Sequence, residues 1–207
     1  MTEVALKRRE RALALGKPYG LSGAPEVVPL MQEGAEGIKG FSVICRRLGA
    51  AYFVRKLALA LLEDEDNEVL CAQVRADAKV YSVDYDMTPR EVALTHGDAG
   101  SRDLREMASL GEAMAVLVWI LGGLPAPLDP TKPADVEAVA RYVEQREQIQ
   151  GLCERSRMGD TEEIADVIDL YRLYAKAGVG DERLVRGRRV ALEWLVSGSN
   201  DWYRLKL

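Results

Sequence analysis

Four acidic side chains have the spacing of a divalent-cation site. Glu144 and Glu147 are one helical turn apart, and Glu163 and Asp166 repeat this spacing after a gap of fifteen residues. Carboxylates that face each other from two helices suit Mg²⁺, because this ion prefers oxygen ligands and binds phosphate substrates. The alternative is that these carboxylates lie on solvated helix faces, where acidic residues in a first turn also favour the helix dipole.

The paired pattern is similar to the acidic motifs of the all-α nucleotide pyrophosphohydrolases. That family uses an EExxE helix and an ExxD helix, and the resemblance implies Mg²⁺-dependent hydrolysis of nucleoside triphosphates. The chain departs from the pattern at Val143, which stands where the family has its first Glu. Hydrolysis is therefore the alternative function, with Mg²⁺ as its cofactor, whereas the leading hypothesis below needs no cofactor.

Glu112 is a charged residue with apolar neighbours. Ala108, Val116 and Trp119 share its face of the predicted helix, and a carboxylate buried there needs a partner. Arg188 has a similar position among the leucines of the last helix. We therefore predict a structural Glu112–Arg188 pair or, alternatively, a charged pocket. Three other arginines compete for Glu112: Arg46, Arg47 and Arg172.

The sequence contains no other known combination of catalytic residues. His96 is the single histidine, and the chain lacks GxSxG, GxGxxG and P-loop motifs. The tryptophans Trp119, Trp194 and Trp202 are expected to fill the core or an interface rather than to stack bases. We expect Trp202 to pack back onto the domain and to hold the end of the chain in place.

The elements that carry these residues are nearly all helices, because the long segments repeat apolar residues with a period of about 3.6. We predict an all-α fold: a single-domain irregular bundle of about seven to eight helices around the apolar helix 41–66. The domain spans 1–207, with 1–40 as a looser N-terminal arm. Other predicted helices include 102–123, 134–156, 162–177 and 182–197.

Composition disfavours two classes of partner. The chain is 48% hydrophobic with a net charge of −5, and its 28 basic residues are interleaved with 33 acidic ones. Nucleic-acid binding is not expected, because it usually needs a basic stripe. The longest apolar stretch, 113–124, is too short to span a membrane. A protein partner is the expectation, and a homodimer is an open option.

The three cysteines, Cys45, Cys71 and Cys153, are far apart and form no CxxC motif. An odd number of scattered cysteines is typical of a reducing compartment, where cysteine serves as a small hydrophobe. The sequence therefore predicts a cytoplasmic location.

Four segments occur in a familiar order: MTPREVALTHGD (87–98), LGEAMAVLVWILGGLPAP (110–127), EEIADVIDLYRLYAKAG (162–178) and RRVALEWLVSGSNDW (188–202). They resemble the bacterial domain of unknown function 4272 over about residues 40–203. The resemblance implies a bacterial, mostly helical protein and no established reaction.

The resemblance matches single residues of this chain to positions in the family's motifs. Glu112 stands at the family's EA motif, Trp119 at its WALG motif and Arg188 at the Arg of ERH, while Asp169 and Arg172 lie in its acidic helix. Trp194 matches the Trp of NWL, and Asp201 and Trp202 match the start of DWD. The chain departs from the family at five positions: Ser109 replaces its first Trp, Gly187 and Arg189 replace the Glu and His of ERH, Glu193 replaces the Asn of NWL, and Tyr203 replaces the final Asp of DWD.

These replacements favour binding over catalysis. The leading hypothesis is a non-catalytic helical interaction protein, either an adaptor or an immunity-type protein whose acidic surface masks a basic active site. The alternative is the Mg²⁺-dependent nucleotide hydrolase.

Overall fold

A computed structural model describes residues 3–23, 25, 37–64, 68–145 and 148–207. These residues form ten α-helices and contain no β-strand, which confirms the all-α prediction. The α-helices are α1 Glu3–Gly16, α2 Phe41–Glu63, α3 Glu68–Val80, α4 Pro89–Thr95, α5 Ser101–Ala108, α6 Gly111–Ile120, α7 Val136–Glu144, α8 Ile149–Arg155, α9 Thr161–Ala177 and α10 Glu182–Leu195. Three short 3-10 helices lie at Lys17–Tyr19, Asp84–Asp86 and Trp202–Arg204.

Helix α2 is the centre of the first half of the fold. It packs against every α-helix from α3 to α8, and most of its residues from Ile44 to Leu61 are buried. Gly49 allows this crowding, since a Cβ atom at this position would lie 3.0 Å from a methyl carbon of Val83. The apolar residues of α2 surround the helix, as expected for a central element.

Helix α6 is the second core element. All its residues are buried except Glu112, which is half-buried. It packs between α2 and α10. A helix that is apolar on all sides belongs in a protein interior when, as here, it is too short for a membrane. In the described part of the chain, no helix combines the length and apolar character that crossing a membrane requires.

The remaining layer consists of α1, α9 and α10, with α9 in contact with both other helices. Helix α1 buries Ala5, Arg8 and Ala12. At the surface, Arg11 connects α1 to α9 through Asp166, with Nε–Oδ2 and Nη2–Oδ1 distances of 2.6 and 2.8 Å. Residues 26–36 of the predicted N-terminal arm lie outside the described residues.

Two predicted helices are each divided in the structure, so the number of helices exceeds seven to eight. The segment 102–123 is divided between α5 and α6, and 134–156 between α7 and α8. At the first break, Ser109 Oγ donates a hydrogen bond to the Glu106 carbonyl oxygen at 2.7 Å. Such side-chain bonds compete with the regular helical pattern.

Candidate functional site

Arg188 makes contacts with four residues on three elements although it is only 2% exposed. Its Nε donates to Glu112 Oε2 at 2.7 Å, and its Nη1 donates to the Tyr171 hydroxyl at 2.6 Å. The guanidinium group also donates to the carbonyl oxygens of Asp129, at 2.7 Å, and Lys132. The structure thus brings the predicted pair Glu112 and Arg188 together, and most of the arginine's other hydrogen-bond partners belong to the backbone.

These bonds hold the proline-rich connector 124–135 against the core. Glu112 Oε1 accepts a hydrogen bond from the Ala134 amide at 2.8 Å. The Tyr171 hydroxyl donates to the Pro127 carbonyl at 2.6 Å, and Tyr174 donates to the Leu128 carbonyl at 3.0 Å. Burial raises the pKa of Tyr171 to about 12, so this hydroxyl keeps its proton at neutral pH. The arrangement is a structural clamp for a connector without regular structure.

Arg172 and Asp169, which share the acidic helix α9, lie in a second ionic cluster. Arg172 forms a two-point contact with Glu193 on α10, at 2.9 and 2.6 Å, and lies 3.8 Å from Asp169. Burial opposes ionisation of Glu193, but hydrogen bonding and electrostatic attraction to Arg172, together with Arg189, outweigh it and lower the pKa of this carboxyl. Arg189 adds a contact of 3.5 Å. Arg172 is therefore a partner of Glu193 rather than of Glu112.

The acidic residues predicted for Mg²⁺ have partners on different helices. Glu144 accepts a hydrogen bond from the Tyr52 hydroxyl on α2, whereas Asp166 is held by Arg11 on α1. Glu163 is exposed on α9, and Glu147 lies outside the described residues. Among the residues that the structure describes, no group of three His, Cys, Asp or Glu side chains could hold a metal ion.

All three tryptophans are buried. Trp119 belongs to the core of α6. Trp202 packs back onto Trp194 in an edge-to-face contact with ring centroids 6.1 Å apart, and Lys39 lies 5.0 Å from the Trp194 ring centroid. The C-terminal segment, defined as residues 201–207, is thereby attached to α10.

A buried network that sequence reasoning missed joins α2, α4 and the C-terminal segment. Arg47 Nη2 donates to both carboxylate oxygens of Glu91, at 2.7 and 2.8 Å, and neither side chain has more than 3% of its surface exposed. The Tyr203 hydroxyl donates to Glu91 at 3.0 Å. The Arg47 guanidinium also lies 4.4 Å from the Trp202 ring centroid. Burial and the neighbouring Glu91 raise the pKa of Tyr203.

The sequence does not mark Glu91 as a buried charge, because this residue also caps the start of α4. It is the third residue of α4 and completes a capping box with Thr88, whose amide donates to Glu91 Oε2 at 2.8 Å. A capping box usually lies at the surface, so the pattern does not indicate a buried charge. The available signal was Arg47, a cation within the long and mainly apolar helix α2, which needed a partner.

A cleft of about 280 Å³ opens beside this network. Its wall includes Arg46, which is bonded to Asp86 at 3.0 Å, and Trp194. At its rim Tyr85 is 91% exposed, and Val43 is also exposed. The cleft therefore combines an ionic wall with an apolar rim.

A larger groove of about 460 Å³ lies between α5, the start of α6, α10 and the C-terminal segment. Its floor includes Leu110 and Trp202, and its edges carry Arg102, Arg183 and Arg186. We call this the basic groove. All three arginines are exposed, and none of their side chains has an ion pair within the described ranges. The groove thus presents three guanidinium groups beside an apolar floor.

The fold and these sites define an all-α protein in which ionic clusters hold the helices together and the basic groove exposes arginine side chains without ion pairs within the described residues. The chain belongs to the family described as Domain of unknown function (DUF4272), whose model matches residues 8–205. Searches of curated proteins and of solved structures give no match. The family membership agrees with the resemblance inferred from residues 40–203.

Proposed function

We propose that this chain is a non-catalytic interaction protein of the bacterial cytoplasm that binds an acidic segment of a protein partner in the basic groove. The observation that carries the proposal is the set of three exposed arginines without ion pairs, Arg102, Arg183 and Arg186, in a chain with a net charge of −5. The thiols of all three cysteines are free, which supports a reducing compartment.

The geometry of the basic groove suits a peptide segment. Arg183 and Arg186 are one turn apart on α10, and Arg102 faces the groove from α5. Arginines and aromatic residues are enriched in protein interfaces, where an apolar centre is surrounded by a polar rim. Acidic side chains of a partner would meet the guanidinium groups, while an apolar side chain would contact Leu110 and Trp202. Charge complementarity of this kind raises the association rate and selects the partner.

The buried carboxylates support a structural rather than a catalytic chemistry. Glu91 is bonded to Arg47, Asp166 to Arg11 and Glu112 to Arg188. Each of these carboxylates is thus already engaged by a guanidinium group on another helix, and it serves the packing of the fold. An immunity-type role, in which acidic faces mask a basic active site, would use surfaces other than the basic groove.

The test uses two variants with the same change in charge. The groove variant carries Arg102→Glu, Arg183→Glu and Arg186→Glu. The control variant carries Lys79→Glu, Arg155→Glu and Arg157→Glu at exposed positions outside the groove. In both variants, each exposed substitution should change the free energy of unfolding by no more than about 0.5 kcal/mol.

The partner is first captured with the unmodified protein and identified by mass spectrometry, and its affinity is then measured by calorimetry with purified proteins. We expect the groove variant to bind at least about tenfold more weakly, which corresponds to 1.4 kcal/mol, and the control variant to bind normally. Equal losses in the two variants, or full binding by the groove variant, would contradict the proposal.

A further inference from the structure

Two of the three cysteines meet where α2 packs against α8. Cys45 is fully buried on α2, and Cys153 is half-buried on α8. The two thiols lie close enough to interact electrostatically. Burial, followed by the neighbouring Cys153, raises the pKa of Cys45, so this thiol is protonated in the folded protein.

The packing of the two helices supports this contact independently. One turn after Cys45, Gly49 faces α8, where a Cβ atom on Gly49 would lie 3.4 Å from Ile149 Cδ1. One turn after Ile149 is Cys153. The contacts 49–149 and 45–153 therefore follow the pattern of two antiparallel helices. The Ile149 amide donates to the Tyr81 carbonyl at 3.3 Å, which fixes the start of α8.

The contact has features that disulfide formation requires. A disulfide needs Cα atoms within about 7 Å of each other, and α2 and α8 pack directly against each other at this level of the two helices. Cys153 is half-buried, so a small oxidant has better access to this residue than to the fully buried Cys45. Arg46 lies close enough to Cys153 to interact with it electrostatically.

We propose that Cys45 and Cys153 are an oxidative modification site at which a hydroperoxide closes a disulfide between α2 and α8. The thiolate of Cys153 attacks a peroxide oxygen, which breaks the O–O bond and gives a sulfenic acid. With hydrogen peroxide the leaving hydroxide takes up a proton and departs as water. The sulfur of Cys45 then attacks the sulfenic sulfur, and its thiol proton leaves with the hydroxyl group as a second water.

This inference is independent of the basic groove and gives the cysteines a chemistry beyond filling the core. In a reducing compartment both thiols stay free, and the disulfide forms only when peroxide is present. Arg46, the next residue after Cys45, forms part of the cleft beside Asp86. The disulfide would thus join α8 to the helix that carries this wall of the cleft.

The test treats the folded full chain with hydrogen peroxide and follows the thiols by alkylation and peptide mass spectrometry. We expect the loss of two of the three free thiols and a Cys45–Cys153 cross-linked peptide, which dithiothreitol reverses. The matched control is Cys71→Ala on α3, whose cysteine is also buried, and it should form the same cross-link. Cys153→Ala should form none.

A trapping experiment separates the two steps. In Cys45→Ala the sulfenic acid on Cys153 has no resolving thiol, so dimedone should label Cys153 at least several-fold more than in the unmodified protein. Cys153→Ala replaces a half-buried residue and keeps the test informative if Cys45→Ala folds poorly, which circular dichroism would show. The proposal fails if oxidised protein carries sulfinic acid on Cys153 without a cross-link, or if the cross-link involves Cys71.

Discussion

Two buried arginine–glutamate pairs hold this fold together, and they differ in what surrounds the carboxylate. Glu91 is fully enclosed and receives its bonds from Arg47, Tyr203 and the Thr88 amide. Glu112 keeps 13% of its side-chain surface exposed, and its partner Arg188 donates mainly to other groups. The Arg47–Glu91 pair is therefore an ionic contact closed to water. In the Arg188–Glu112 pair, the main role of the arginine is to hold the connector 124–135 in place.

The comparison teaches that residue types alone do not fix the energetic role of a buried pair. Removing one charge from a closed pair leaves the other charge in a medium that cannot solvate it. Removing a charge near the surface leaves a group that water can partly reach. We therefore expect the pairs to respond differently to the same kind of substitution.

The largest effect is expected for Glu91→Gln. Glutamine keeps the volume and can keep the capping box, but it leaves the Arg47 guanidinium buried without a counter-charge. We expect a loss of about 3–5 kcal/mol in the free energy of unfolding, measured by urea denaturation. Glu106→Gln, at an exposed pair with Arg90, is the control and should cost less than about 1 kcal/mol. Similar losses in both variants would remove the distinction between a closed and an exposed contact.

A smaller loss, about 2–3 kcal/mol, is expected for Arg188→Met. Methionine preserves the packing but leaves the Asp129 and Lys132 carbonyls without their donor, and Glu112 can reach water. Adding Glu112→Gln should restore part of the loss, because the amide oxygen can still accept from Ala134 while the unpaired charge is gone. The double-mutant cycle should give a coupling energy of at least about 1 kcal/mol. Strict additivity would mean that the ion pair contributes nothing.

Next in size is the pH-dependent effect of Arg172→Gln. The folded state lowers the pKa of Glu193 below its ordinary value of 4.5, so its contribution to stability is present above that pH and is lost as the pH falls below it. The variant should lose about 1.5 kcal/mol at neutral pH and show a smaller deficit in acid. Denaturation midpoints across this range measure the effect. Arg141→Gln, at an exposed pair, should show no such trend, and a constant deficit in Arg172→Gln would contradict the assignment.

The smallest effect is expected for Gly187→Ala. A Cβ atom at this position would lie 2.9 Å from Glu112 Cβ, so α10 must move away from α6. Overpacking of this kind costs about 1–3 kcal/mol, and the gain in helix propensity offsets about 1 kcal/mol of it. We expect a net loss of about 1 kcal/mol by thermal denaturation. Gly198→Ala, with open space around it, is the control, and equal melting temperatures for the two variants would show that α10 adapts freely.

The helical class could be predicted because it depends on local periodicity, and α10 and α9 lie close to the segments predicted for them. The helix breaks could not be predicted, because at Ser109 the decisive contact is a side-chain bond to the backbone, and the nearby Gly111 begins α6 instead of marking the end of a helix. The partner of Glu112 was among the predicted candidates because both residues interrupt apolar stripes. The carbonyl groups that accept hydrogen bonds from Arg188 could not be predicted, because connector residues 129 and 132 belong to no periodic pattern that would place them in the fold.

The Glu91 network was missed for a different reason. The spacing from Thr88 to Glu91 is fully explained by local capping, so the sequence offers no unexplained charge at this position. The basic groove likewise depends on tertiary structure, because Arg102 and Arg183 are far apart in sequence and look like ordinary solvated charges. The Glu91 network depends on the meeting of α2, α4 and the C-terminal segment, and the basic groove on the meeting of α5, α10 and that segment.

The attachment of Tyr203 to Glu91 has a consequence for folding during synthesis. These residues are separated by 112 positions, and contacts of such long range form late because the intervening chain must be ordered first. Until residues 202 and 203 have emerged from the ribosome, the Arg47–Glu91 pair lacks the Trp202 ring and the Tyr203 hydroxyl that cover it. The nascent chain therefore keeps a hydrated Arg47–Glu91 contact, and water is excluded from this contact only when residues 202 and 203 pack against it.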